Sequence, residues 1–112
     1  MSRSLKSQWF QILLALADQE RHGYGIQRDV LDRTDGQMML WPATLYRSLA
    51  ALVERGLIAA VTDPGGGPPD ERRQYYRITP VGRGRLDEEA ERLTRWAEIA
   101  RERNDLGTAR SV

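Results

Sequence analysis

Apolar residues recur along this chain at two spacings. Phe10, Ile12, Leu13, Leu14, Leu16 and Ala17 cover a broad face at helical intervals. They predict a largely buried first helix over residues 7–18, with Ser7 as its N-cap. After Arg21-His22-Gly23 as a short connection, Ile26, Val30 and Leu31 mark a second helix over residues 24–33. Thr34-Asp35-Gly36 stops it, with Gly36 suited to the left-handed closing position. Pro42 fits the first turn of a third helix that runs to Arg55 and ends at Gly56. Its core stripe is Leu45, Leu49 and Leu52, flanked by Val53. The spacing then drops to two. Residues 57–62 are apolar and β-branched, and Tyr75, Arg77 and Thr79 alternate with Tyr76 and Ile78 within residues 74–79. Between these two strands, Asp63-Pro64-Gly65-Gly66-Gly67-Pro68-Pro69-Asp70 excludes both helix and central strand, which makes a long-tipped hairpin. Thr79 caps a fourth helix, with Pro80 at its first position, that runs to about Arg103.

Three helices, a two-stranded ribbon and a long helix make a mainly α fold with a β-wing. The expected architecture is a winged helix-turn-helix over residues 1–79, with helices two and three as the helix-turn-helix pair. A C-terminal dimerisation helix and short tail occupy residues 80–112. On that last helix Leu86, Ala90, Leu93, Ala97 and Ala100 are spaced 4, 3, 4, 3, a seam of about two heptads. Trp96 and Ile99 widen the seam, and Glu88, Glu89, Glu91, Arg92, Arg95, Glu98, Arg101 and Glu102 fill the solvated remainder. The seam has two candidate partners, the chain's own first helix and a second copy of the chain. A twofold dimer would offer two recognition helices to half-sites about one turn (~34 Å) apart on duplex DNA.

The third helix leaves a distinctive face uncovered. With Leu45 set inward, Ala43 and Arg47 lie opposite, and Thr44, Tyr46 and Ala51 lie on the flanks. Small or hydrogen-bonding side chains with one guanidinium fork suit base edges in a major groove. Taken alone, this helix is better explained as a solvated face with an ordinary surface arginine, and the wing shifts the balance. The wing adds Arg72, Arg73 and Arg77 among Gln74, Tyr75 and Tyr76. Arginines on a ribbon beside a glycine-proline loop can grip phosphates or enter a minor groove. Asp70 and Glu71 oppose that, and charges that protect a strand edge are the competing explanation. Lys6 and Arg3 precede the first helix as further phosphate contacts or as a solubilising terminus. The candidate DNA-binding set is therefore Lys6, Ala43, Thr44, Tyr46, Arg47, Arg72, Arg73 and Tyr75.

Composition narrows the classes. The 112 residues suffice for one modest domain, and 40% hydrophobic with 29% charged residues fits a folded globular chain. The net charge of +1 gives no polybasic tail, yet a local basic patch survives inside a neutral total. With no cysteine and one histidine, His22, disulfides, thiolate chemistry and multi-histidine metal sites are excluded. No cofactor is expected, and no apolar run reaches transmembrane length. The N-terminal Arg3, Lys6 and apolar stretch only faintly resemble a signal peptide, because Gln8 and Gln11 interrupt it. The expected compartment is the cytoplasm. No phosphate-cradling lysine loop or nucleophile pair is present, so an enzyme is not expected. His22 reads as a structural or surface residue.

Several segments together resemble the PadR-like family of transcriptional regulators. They are Ile12-Leu13-Leu14-Ala15-Leu16-Ala17 and His22-Gly23-Tyr24-Gly25-Ile26, then Pro42-Ala43-Thr44-Leu45-Tyr46-Arg47-Ser48-Leu49 and Leu52-Val53-Glu54-Arg55-Gly56-Leu57-Ile58. Arg72-Arg73-Gln74-Tyr75-Tyr76-Arg77-Ile78-Thr79-Pro80-Val81-Gly82 completes the order. The resemblance covers most of residues 5–85 and is similar to the short subfamily with a single C-terminal helix. It implies a dimeric winged-helix repressor, often released from DNA by a small ligand. One departure is Trp41, where the family usually has a capping serine before the proline. Without a cap oxygen the helix start loses about 1 kcal/mol.

The same resemblance points to aromatic compounds at the dimer centre. Trp96 either fills the interface or faces its symmetry mate across a gap where a planar hydrophobic ligand stacks. Trp9 and Phe10 are candidates to line the same region. The expected partners are thus double-stranded DNA, a second copy of the chain and a small aromatic effector, with no membrane. The rival function is a winged-helix protein-interaction module that binds no DNA. Steep weakening of binding with salt separates the two.

Overall fold

In the computed structural model, which describes residues 4–61 and 74–110, the chain opens with α1 (Ser7–Ala17). Ile12, Leu13, Ala15 and Leu16 are buried on it, as the apolar face requires. Ser7 is already helical, so the N-cap is Lys6 in extended conformation, and no side chain accepts there. The serine cap expected from sequence is therefore displaced by one residue. Where a connection is expected, Arg21–His22 form a short strand, β1. His22 then caps α2 (Gly23–Arg33), its Nδ1 accepting from the Gly25 N–H at 2.9 Å. Ile26 and Val30 of α2 face the core.

The stop after α2 places Gly36 in the left-handed region as expected, with Asp35 ahead of it there too. Asp35 takes the left-handed conformation (φ 54°) and Gly36 follows with φ 79°. The Gly36 N–H donates to Leu31 O at 2.8 Å and closes the helix end. Aspartate tolerates this region better than most residues because its short side chain bonds locally. α3 (Pro42–Glu54) begins at its proline and buries Leu45, Ser48, Leu49 and Leu52. Trp41 stands at its N-cap with no side-chain hydrogen bond. Gly56 (φ 74°) closes the far end, with the Leu57 N–H donating to Leu52 O at 3.0 Å.

β2 (Ile58–Val61) and β3 (Tyr75–Ile78) pair antiparallel, with Ile58 opposite Ile78 and Val61 opposite Tyr75. β1 adds to the other edge of β3, with Arg21 opposite Tyr76. The expected two-stranded wing, β2 with β3, is present, and β1 extends it to a three-stranded sheet in the order β1-β3-β2. Along β3 the alternation is as predicted: Tyr76 and Ile78 are buried and Arg77 is exposed. The glycine-proline segment, Arg72 and Arg73 lie outside the described residues.

Thr79 ties three elements together. Its Oγ1 accepts from the Gly82 N–H at 3.0 Å, capping the last helix as predicted, and donates to Gly56 O at 2.6 Å. That helix, α4 (Pro80–Arg110), continues past the expected end at Arg103. Gly82 allows it to start against the end of α3, because a Cβ there would lie 2.0 Å from Leu57 O. The first turns of α4 also pack on α1. Leu86 joins the core of its own chain. Glu89 is only 6% exposed, not solvated as the heptad reading expects. It accepts from the Leu5 N–H at 2.7 Å and pairs with Arg92. The rest of α4 projects beyond the body and stretches the molecule to 66 × 31 × 22 Å. Among the described residues, no helix is long and apolar enough to cross a membrane.

Candidate nucleic-acid interface

The leucines of α3 determine what remains outside. With Leu45, Leu49 and Leu52 locked in the core, Ala43 and Arg47 are exposed, and Thr44, Tyr46 and Ala51 are half-buried. The helical-wheel assignment of faces matches position by position. Tyr46 is less free than that assignment implies. Its hydroxyl lies 2.8 Å from where a Cβ on Gly23 would stand, so its ring rests on the start of α2. Much of that ring therefore serves the packing of the helix pair. Trp41, just ahead of the tip, is 65% exposed.

Beside the tip lies a cleft of about 320 Å³ between α1 and α3. Lys6, Gln8 and Trp9 line one wall, and Thr44, Arg47, Ser48, Ala51 and Arg55 line the other. The structure thus brings together three predicted contacts that are distant in sequence, Lys6, Thr44 and Arg47. Lys6 Nζ stands 5.1 Å from the centre of the Trp9 ring, and Arg55 Cζ stands 5.0 Å from it. No carboxylate lines the cleft. Among the described residues, the ion-paired cations are elsewhere: Arg21 with Asp18 and Asp29, Arg33 with Asp29, Arg85 with Glu88, and Arg92 with Glu89. The charges at the cleft are not consumed by the fold.

Arg55 is the charged cleft residue that the sequence reading misses. The signal was available, since Thr44, Arg47, Ala51 and Arg55 are spaced 3, 4, 4 and so form one row along α3. Tyr75 is placed differently from its fellow candidates. It is half-buried on β3, with His22 edge-on at 5.5 Å, and it does not line the cleft. Arg72 and Arg73 are outside the described residues.

The proposed seam of α4 divides. Leu86 is spent on the chain's own core, while Ala90, Leu93, Trp96, Ala97 and Ala100 are exposed. Leu93 is 48% exposed and Trp96 58%. The structure does not bring Trp9 to Trp96 within one chain. Trp9 sits with Lys6 and Arg55, and no residue lining its cleft comes from α4. Phe10 is half-buried against the core.

Comparison with known proteins agrees with this architecture. Residues 12–88 match the Transcriptional regulator PadR-like family. An uncharacterised protein of Lysinibacillus sphaericus is 33% identical over 92 residues, covering 79% of this chain and 76% of that protein. The structure of a transcriptional regulator from Clostridium thermocellum superposes with a TM-score of 0.69 at 28% identity, covering 84% of this chain and 89% of that one. Bacillus subtilis PadR, crystallised with operator DNA, shares the fold with a TM-score of 0.64 at 22% identity, covering 74% of this chain and 46% of that one. With the match spanning more than half its length, the chain belongs to the PadR-like family of transcriptional regulators, a family of regulators and not of enzymes.

Proposed function

We propose that this chain is a sequence-specific double-stranded DNA-binding regulator, acting in the cytoplasm as a homodimeric repressor on a pseudo-palindromic operator. The observation that carries the reading is the exposed start of α3 beside three cations, Lys6, Arg47 and Arg55, that no carboxylate opposes. Guanidinium and ammonium groups with no carboxylate beside them, around an exposed helix start, suit phosphates, and Arg47 is the best-placed fork for a guanine edge. The B. subtilis relative crystallised with operator DNA supports the same use of this fold. Dimerisation rests on α4, whose stripe of Ala90, Leu93, Trp96, Ala97 and Ala100 is exposed among the described residues. Trp96, flanked by small residues at the centre of that stripe, is the place for a small aromatic effector that releases the DNA.

Selection of bound sequences from random duplex DNA tests the reading. A two-fold symmetric consensus with half-sites about one turn (~34 Å) apart is expected. Arg47→Ala should erase the preference for that consensus more than the affinity for random duplex. Equal weakening on both would reassign Arg47 to a phosphate. The near-neutral charge of +1 favours a second reading, a protein-docking module. That reading predicts binding nearly indifferent to salt, and no enriched sequence.

A further inference from the structure

We propose that Lys6, Trp9 and Arg55 form a bracket for a backbone phosphate of duplex DNA, in which Trp9 is a positioning residue and not part of an effector pocket. The inference rests on the DNA-binding reading and extends it to two residues outside the recognition tip. Both cations lie about 5 Å from the same indole centre, so they stand within about 10 Å of each other. Two like charges held that close repel, and no acidic side chain of the cleft relieves them. The negative face of the indole offsets part of this and restricts two long, flexible side chains to one neighbourhood. The remaining positive potential is directed at an anion.

The position of the cleft says which anion. It continues without a break into Thr44 and Arg47, on the row that leads to the exposed tip. A duplex that admits the tip into its groove must carry a strand past this flank, and phosphate contacts there set the register of the helix. The arm that bears Lys6 is itself anchored. The Leu5 N–H donates to the buried Glu89 carboxylate at 2.7 Å, so the residue before Lys6 is fastened to the base of α4. Lys6 is thereby presented from a fixed backbone and not from a loose terminus.

The test is fluorescence anisotropy of the full chain with a random-sequence duplex of roughly 30 base pairs, long enough for two half-sites, from about 50 to 200 mM salt. Lys6→Ala and Arg55→Ala should each weaken binding roughly ten-fold, and each should lower the slope of log affinity against log salt by about 0.9. Trp9→Leu keeps apolar bulk but removes the aromatic face, and should reproduce that loss. Trp9→Phe should restore most of it. In a chain already carrying Lys6→Ala and Arg55→Ala, Trp9→Leu should add nothing. Arg55 is exposed, so its variant tests the bracket even if Trp9→Leu fails to fold. An Arg55→Ala protein that binds like the wild type overturns the bracket alone. So does a folded Trp9→Leu protein that weakens binding without changing the slope. A wild-type chain that binds no duplex at any salt overturns the regulator reading and the bracket together.

Discussion

Trp41 occupies the N-cap of α3 without offering an acceptor, and the residue is largely exposed to solvent. The first N–H groups of the helix therefore have no side-chain partner at the cap. Trp41→Ser supplies one and is expected to raise stability by about 1 kcal/mol, read as a higher urea midpoint at unchanged slope. The opposite case is His22, whose Nδ1 is the cap of α2. His22→Ala should cost about 1 kcal/mol in the same titration. At this scale the sequence was legible where a residue's role depends on its neighbours in the chain. The missing cap at Trp41, the cap at Thr79 and the exposure of Arg47 all follow from local spacing. Glu89 was not legible, because its burial depends on the Leu5 N–H, 84 positions away. The same limit hid the association of Trp9 with Arg55, which belong to different helices.

Elements were legible when they were long and periodic. The leucine rows of α1 and α3 and the alternation along β3 each repeat often enough to identify themselves. β1 has two residues, too few for any period to show, and it exists because β3 offers it an edge. α4 runs on to Arg110, past the expected end near Arg103, although Asn104, Asp105 and Gly107 have weak helix propensity. The start of α4 yields a matched pair of expectations. Gly82→Ala would drive a methyl group into Leu57 O and should destabilise by about 2–3 kcal/mol. Gly84→Ala, two residues on, meets nothing within 4 Å and should stabilise by about 0.8–1 kcal/mol. Thermal unfolding of the two variants side by side checks both. Equal effects would mean that the close contact between α4 and the end of α3 relaxes without cost.

For the whole molecule, the arrangement of helices and wing was legible in the order of elements, and the family match over residues 12–88 agrees with it. The division of labour along α4 was not. A heptad pattern specifies a face but not which partner covers it, and here the near end is covered by α1 while the far end is not. Leu93 lies on the uncovered part. Leu93→Glu is expected to convert the proposed dimer to monomer in sedimentation equilibrium, because in that dimer it would set two charges against each other at a symmetric apolar contact. An intact dimer would place the subunit contact on another surface.

The projecting part of α4 carries one more consequence. From Glu91 to Arg110 every residue except Arg92 and Ile99 is exposed. A helical arm of about 20 residues with so little to lean on lacks the tertiary packing from which helices in proteins draw most of their stability. A neighbouring copy would prop it up, and dilution would let it unwind. Far-ultraviolet ellipticity per residue should then fall as the protein is diluted. The backbone itself would trace the association isotherm, with no label attached.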